Sequence, residues 1–150
     1  MMIQNLGIRL ARLDESDKIL AWRNDPKVRI GAEKPDEISK TIHSIWFNNK
    51  ILANQFFIAE KDGEEFGIVV FHKDEEDLIW SFYVIPEKQK KGLGKLLTRL
   101  GLLLAENSGE QVLYADVRDD NEISLRLHHE LGFVTYAAKD GLIKFYKEFR

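Results

Sequence analysis

The chain of 150 residues, 44% hydrophobic and 31% charged, is long enough for one domain with a hydrophobic core and too apolar for a disordered protein. The absence of cysteine excludes a disulfide framework, a thiolate zinc site and a cysteine nucleophile; with only four scattered histidines it predicts no metal site, and it favours a reducing, cytoplasmic setting. A net charge of −3, with no apolar run of the roughly 18 residues that span a membrane, predicts neither nucleic acid nor a membrane as a partner.

The first third of the chain predicts one strand and two helices. Residues 8–13 alternate in part between apolar and basic side chains, which predicts a short strand. Asp14 to Ser16 offer helix-capping groups, and the first helix must end near Asp25 because Pro26 disfavours a helical residue before it. A second helix is predicted from about Ile38 to Asn49, with its apolar residues at helical spacing: Ile38, Ile42, Ile45 and Trp46.

Three strands joined by short turns follow. Two are predicted at residues 55–60 and 66–72, with an Asp62-Gly63 turn between them. The third, at residues 78–85, is rich in aromatic and β-branched residues. The acidic segment 74–77 forms the turn before it, and Pro86 ends it.

Helices and strands alternate in the rest of the chain. One helix has a stripe of leucines on one face: Leu93, Leu96, Leu97, Leu100, Leu103 and Leu104. The next is predicted to begin at a capping box of Asp119 and Glu122 and to end at Gly132. The remaining strands are predicted at 112–117, 134–138 and 142–149. This order of elements predicts a mixed α/β fold with a central sheet.

The loop of residues 86–95, between a strand and the leucine-striped helix, has the chemistry of an anion site. Helix N-termini expose unpaired N–H groups, and Gly92 and Gly94 would let a phosphate approach them closely. Four lysines add positive charge: Lys88, Lys90, Lys91 and Lys95. A Walker loop is excluded because Leu96 follows Gly94-Lys95, and a dinucleotide fingerprint because position 97 is leucine. A plain surface turn with solvated lysines is the alternative.

The remaining pattern, Gln89-x-x-Gly92-x-Gly94, resembles the pyrophosphate-binding motif of the GNAT acetyltransferase superfamily. The similarity extends to Val84-Ile85-Pro86 before the loop and to an Asn-x-x-Ser to Gly-Phe block at 121–133. The resemblance implies one N-acetyltransferase domain over residues 1–150, with a mostly antiparallel sheet, about four flanking helices and a splayed strand pair. It also implies an enzyme that moves the acetyl group of acetyl-CoA to an amine by direct transfer in a ternary complex.

The resemblance assigns the cofactor contacts to two parts of the chain. Main-chain N–H groups around Tyr83 and Val84, at a strand bulge, would serve the developing oxyanion. Asn121 would contact the cofactor, although a simple N-cap is its alternative role. The residues expected to bind acetyl-CoA are Tyr83, Val84, Ile85, Gln89, Lys90, Lys91, Gly92, Leu93, Gly94, Lys95, Asn121 and Ser124.

The catalytic groups are less well marked. His128 occupies the position where the family usually has a tyrosine acid, and a neutral imidazole suits proton transfer near pH 7. A structural role is the alternative, and His129 is the weaker candidate because it lies off that face of the helix. For the base we predict Ser81, with Glu87, a water chain or a backbone carbonyl as alternatives.

The acceptor is predicted to bind at the first helices, where aromatic, guanidinium and amide groups cluster: Trp22, Arg23, Asn24 and Arg29. A buried Trp with an Arg that bonds helix carbonyls is the alternative. The segment resembles acetyltransferases of nucleotide-linked amino sugars, the pseudaminic-acid branch among them, and then ribosomal-protein acetyltransferases, for which segment 74–77 would supply an acidic groove. A module that binds acetyl-CoA without turnover is a third reading. A homodimer paired through strand 142–149 is also expected from the resemblance.

Overall fold

The computed structural model describes residues 5–149, which form seven strands and five α-helices. The strands are β1 (Leu6–Leu10), β2 (Phe56–Lys61), β3 (Glu64–Asp74), β4 (Asp77–Val84), β5 (Val112–Arg118), β6 (Val134–Lys139) and β7 (Leu142–Glu148). The helices are α1 (Ser16–Asn24), α2 (Pro26–Arg29), α3 (Lys40–Leu52), α4 (Leu93–Asn107) and α5 (Glu122–Glu130). Within the described residues, no helix is both long and apolar enough to cross a membrane.

The strands form one mixed sheet in the order β1-β2-β3-β4-β5-β7-β6. Only the β4–β5 pair is parallel, and the other five neighbouring pairs are antiparallel. The predicted mostly antiparallel α/β fold is therefore confirmed. Since β7 has neighbours on both sides, the free edge at this end belongs to β6, and the expectation of a dimer paired through the last strand is wrong about which strand is available.

Helices cover both faces of the sheet. Successive side chains of β4 and the residue after it point alternately to the two faces, and so belong to two different cores. Leu78 and Trp80 belong to a core with α4 and α5, whereas Ile85, just after β4, belongs to a second core with α1 and α3. Two glycines set α4 close to the sheet. A Cβ on Gly67 would lie 2.7 Å from Leu97, and one on Gly101 would lie 3.0 Å from Trp80.

Some element boundaries differ from the prediction. Strand β1 ends at Leu10 instead of residue 13, because Leu13 begins a short 3-10 turn that leads into α1. Helix α2 was not predicted: Pro26 ends α1 as expected but also starts a new helix, in which the Asp25 side chain accepts a hydrogen bond from the Lys27 N–H.

The prediction for the apolar stripe of α3 is wrong about which residues face the core. Ile42, Ile45 and Trp46 are exposed, and the helix instead buries His43, Phe47 and Lys50. Phe47 packs edge-on against Phe56, at 5.1 Å between ring centroids, and the Lys50 ammonium donates to the Phe71 carbonyl at 2.6 Å. The buried face of α3 therefore includes a hydrogen-bonded lysine and a stacked histidine, and the predicted apolar stripe lies on the exposed face.

A buried carboxylate anchors the start of α1. Glu15 accepts hydrogen bonds from Arg9, at 2.8 and 2.9 Å, from the Arg12 N–H and from Lys18. Chiefly because of the Arg9 bonds, opposed by burial, the pKa of Glu15 falls from 4.5 to about 2. The network fixes the helix that carries the predicted acceptor residues.

Candidate functional site

Strands β4 and β5 diverge and leave a gap in the sheet. Their pairing is limited to Leu78 with Leu113 and Ile79 with Tyr114, although both strands continue well beyond these residues. The predicted splayed pair is thus present. The predicted bulge at Tyr83 and Val84 is wrong, because the β3–β4 register is regular along the whole of β4.

The main chain near the end of β4 presents donors to this gap. The Ile85 N–H donates to the Phe66 carbonyl, on the β3 side. Because hydrogen-bonding direction alternates along an antiparallel strand, the amide of Tyr83 also points to β3, and those of Phe82 and Val84 point into the gap. Of the two amides predicted to serve the oxyanion, Val84 is the one that faces the gap.

The loop after β4 leads to a helix start that no side chain caps. Lys90 and Gly92 have φ angles of 63° and 74°, so the chain turns sharply before α4 begins at Leu93. By contrast, Ser39 caps α3 and Asn121 caps α5 through side-chain oxygens. The first N–H groups of α4 therefore remain available for an anion.

Space is also left beside this helix start. A Cβ built on Gly92 or Gly94 would meet no heavy atom within 4 Å. The two positions differ in their backbone: Gly92 has a left-handed φ that disfavours any side chain, while Gly94 lies within the first turn of α4. A diphosphate fits here, against bare amides and an open cradle.

The other predicted loop residues divide between solvent and structure. Lys90, Lys91 and Lys95 are exposed, and Lys95 lies 3.3 Å from Glu130 on α5. The Gln89 side-chain amide donates to the Val84 carbonyl at 3.1 Å and to the Lys27 carbonyl at 3.3 Å. Gln89 thus ties the loop to the end of β4 and to α2.

Asn121 and Ser124 lie at the start of α5. The Asn121 side-chain oxygen accepts from the Ser124 N–H at 3.2 Å, and its amide donates to the Gly31 carbonyl at 3.3 Å. Asn121 is therefore the N-cap of α5, and the capping box predicted for Asp119 and Glu122 is wrong. In these contacts Asn121 plays the structural part of its two predicted roles.

His128 is buried in an aromatic cluster, and both ring nitrogens are engaged. Its Nε2 accepts from Trp80 Nε1 at 3.2 Å, which leaves the Nδ1 proton to be donated to the Ser124 carbonyl at 2.8 Å. Burial lowers the pKa of His128 below the ordinary value of 6.5. The ring is therefore held neutral and paired, and a proton relay would have to break the bond from Trp80.

The four predicted acceptor residues have different surroundings. Trp22 is part of the core under α1 and α3. Asn24 holds the Ile38 main chain through two bonds, and Arg29 bonds the Pro35 carbonyl and the Glu37 carboxylate. Only Arg23 keeps a buried nitrogen, Nη1, without a partner.

Two polar residues occupy corresponding positions on either side of the gap. Continuing the parallel register from Ile79 and Tyr114 places Ser81 opposite Asp116. Both side chains lie on the face away from α4, and Asp116 pairs with Lys144 at 3.2 Å. The sequence analysis missed Asp116, although the alternation of residues 112–118 would have placed it on this face. Glu87, the alternative base, is exposed in the turn after β4.

The acidic segment predicted to form a peptide groove lies elsewhere. Residues 74–77 connect β3 to the first residue of β4, whereas the gap opens toward Val84 at the other end of the strand. These carboxylates therefore do not line the gap.

Comparisons with known proteins agree with this geometry. The sequence matches the acetyltransferase (GNAT) family over residues 16–133. The L-amino acid N-acyltransferase MnaT of Escherichia coli K12 is 36% identical over 145 residues, which cover 88% of this chain and 81% of the relative. A mycothiol acetyltransferase of Streptomyces griseus is 39% identical over 99 residues, or 61% of this chain, but the match spans only 29% of that relative's length.

Solved structures share the architecture over nearly the whole chain. The Salmonella typhimurium protein YncA, solved with its cofactor acetyl-CoA, has a TM-score of 0.75 and 25% identity, with coverage of 97% of this chain and 95% of that one. A ribosomal-protein-alanine N-acetyltransferase from Brucella melitensis has a TM-score of 0.77 at 21% identity, with coverage of 95% and 99%, which is a likeness of fold.

Gly94→Val should weaken acetyl-CoA binding by about 100-fold or more, because its side chain would fill the space beside the bare amides of α4; we take roughly 3 kcal/mol as the loss of two charge-assisted hydrogen bonds. The matched control is Gly94→Ala, which adds one methyl group that meets no protein atom. Calorimetric titration with acetyl-CoA measures both. Equal affinities for wild type and Gly94→Val, in a folded protein, would contradict this placement of the diphosphate.

His128→Gln should lower the free energy of unfolding by about 2 kcal/mol, since it disturbs a buried, fully bonded ring. Because the folded pKa lies below 6.5, the unfolded chain binds more protons just below that pH. The wild type should therefore lose stability as the pH falls below 6.5, and His128→Gln should lose part of this dependence. Urea unfolding at several pH values tests it, with exposed His129→Gln as control. A stable variant with turnover reduced 100-fold would instead support the acid role.

Proposed function

We propose that this chain, which belongs to the GNAT acetyltransferase family, is an acetyl-CoA-dependent N-acetyltransferase whose acceptor is the primary amine of a small molecule, first of all an α-amino acid. The observation that carries the proposal is the uncapped start of α4 beside the open gap between β4 and β5. The amino-acid acceptor is supported by the similarity to MnaT, which extends over most of both chains.

The residues of this chain divide the binding work between the loop and the gap. The amides at the start of α4 would hold the diphosphate, with the exposed lysines of the loop adding positive charge. Gln89 would keep the loop in register with β4 through the Val84 carbonyl. When bound, acetyl-CoA supplies the acetyl group and a thiolate leaving group.

The Val84 amide would donate a hydrogen bond to the acetyl oxygen. It points into the gap, and its strand is held in place on the other side by regular pairing with β3. A donor fixed in this way stabilises developing negative charge without reorganisation, which is the physical basis of an oxyanion hole.

We assign the deprotonation of the amine to the polar pair across the gap. Ser81 is exposed there, and Asp116 adds a carboxylate at the corresponding position of β5. A positioned carboxylate can accept the proton that an ammonium must lose before it attacks. His128 has no part in this assignment, because both of its ring nitrogens are already bonded.

A nucleotide-linked amino sugar is the second candidate acceptor. It rests on the resemblance of the segment from Trp22 to Arg29, but Trp22, Asn24 and Arg29 are all engaged inside the protein. Arg23 retains one buried nitrogen without a partner, which such a ligand could use. A cytoplasmic location and a homodimer stay predictions from the sequence.

An acceptor panel tests the proposal by measuring free thiol release from acetyl-CoA. The panel contains the standard α-amino acids, a UDP-linked 4-amino sugar and a peptide with an N-terminal alanine. We expect thiol release to be fastest with an α-amino acid. Faster release with the sugar nucleotide or the peptide would reject the amino-acid acceptor. If no amine causes thiol release although the protein still binds acetyl-CoA, the chain is a module that binds the cofactor without catalysis.

Asp116→Asn should lower kcat by about 100-fold, the usual contribution of a general base. The matched control is Lys144→Met, which removes the ion pair and keeps the carboxylate. It should cost less than about 10-fold. If both variants lose activity equally, the pair has a structural role and Asp116 is not the base.

A further inference from the structure

Arg23 is a half-buried cation, and no carboxylate of the described residues acts on it. Its Nη2 donates to the Lys34 carbonyl at 2.6 Å, and Nη1 is buried without a partner. The charged or titratable groups that act on it are the Tyr83 hydroxyl and Arg29, and neither carries negative charge at neutral pH. Arg29 has its own carboxylate partner, Glu37, at 3.0 Å. The guanidinium is therefore only half satisfied.

The Tyr83 hydroxyl is buried and unpaired in the same region. It projects to the α1 side of the sheet, against the core that contains Ile85 and Trp22, the residue before Arg23. Burial raises the pKa of Tyr83, so the hydroxyl keeps its proton and can act as a donor. Two neighbouring buried groups thus present donors and lack an acceptor.

Such an arrangement is costly unless a ligand completes it. A buried donor without a partner loses its hydration, and a buried charge loses more. In the same segment, Asn24 and Arg29 are bonded to the protein. Within the described residues, the other buried side-chain atoms without a partner are the ring nitrogens of His43 on α3. The free atoms of Arg23 and Tyr83 are both donors, and one anion with two oxygens would satisfy them.

We propose that Arg23 Nη1 and Tyr83 Oη form a subsite for the anionic group of the acceptor, a carboxylate or a phosphate. This inference rests on the proposed function, because it concerns the amine substrate of the same site. Tyr83 precedes Val84, whose amide faces the gap. An anion held at the Tyr83 side chain would therefore fix the acceptor on the α1 side of the sheet, close to the end of β4 where transfer takes place.

Calorimetric titration with three probes tests the subsite: L-methionine, its carboxamide L-methioninamide, and UDP. CoA is kept saturating, so that its own diphosphate occupies the loop. We expect the wild type to bind L-methionine or UDP and not the carboxamide. Arg23→Gln should weaken that binding about 30-fold, and Tyr83→Phe about 5-fold, as expected for charged and neutral hydrogen bonds. If the binding of L-methionine depends on Arg23, the subsite takes a carboxylate. If the binding of UDP depends on Arg23, the subsite takes a phosphate.

Stability separates this role from a structural one. If the role of Arg23 were structural, removing its side chain would destabilise the protein. Tyr83→Phe removes a hydroxyl that has no partner, so it should leave the melting temperature within about 3 °C of wild type. Exposed Arg99→Gln is the control for loss of charge and should leave binding unchanged.

The two ways of failing can be distinguished. If neither L-methionine nor UDP shows binding that depends on Arg23 and Tyr83, while CoA still binds, the subsite is overturned and the family activity stands. If wild type fails to bind acetyl-CoA, the proposed function fails first. Equal binding of L-methionine and its carboxamide would likewise overturn the subsite.

Discussion

The gap between β4 and β5 is the constraint on which the rest of the site depends. A sheet normally pairs its backbone groups along the full strands, and here pairing stops after Ile79 and Tyr114. The cost is acceptable because β3 and β7 hold the outer sides of both strands in regular ladders. The result is a row of unpaired main-chain groups at a fixed place, followed within a few residues by the bare amides of α4. Both parts favour a ligand that is extended and anionic at one end.

Satisfied and unsatisfied polar groups separate structure from function in this chain. Glu15, Lys50 and His128 are buried, yet each has its hydrogen-bond partners, so they contribute to a unique core. Arg23 and Tyr83 are half-buried, but each keeps one buried atom without a partner. The second group carries the inference about substrate, because folding alone gives no reason to bury a donor without an acceptor.

Residue type and spacing allowed a larger part of the fold to be predicted than of the site. The leucine stripe of α4, the breaks at Pro26 and Pro86, and the alternation in β4 are local patterns, and they predicted the elements within a few residues. The assignment for α3 failed because apolar spacing does not reveal that Lys50 can be buried when its ammonium donates a hydrogen bond to the Phe71 carbonyl. His128 was predicted by its position in a motif, whereas its bond from Trp80 joins residues 48 apart in the chain.

The sequence by itself determined the order of the elements apart from the short helix α2, the glycine loop before α4 and the family. These depend on contacts between residues close in the chain, where helix and strand periods act directly. Only the tertiary structure decided which polar groups are bonded and which are free, since the partners come from distant segments. Asn121 bonds to Gly31, Gln89 to Lys27, and Asp116 to Lys144. The availability of a side chain for chemistry is a property of its surroundings, and these surroundings exist only after the chain has folded.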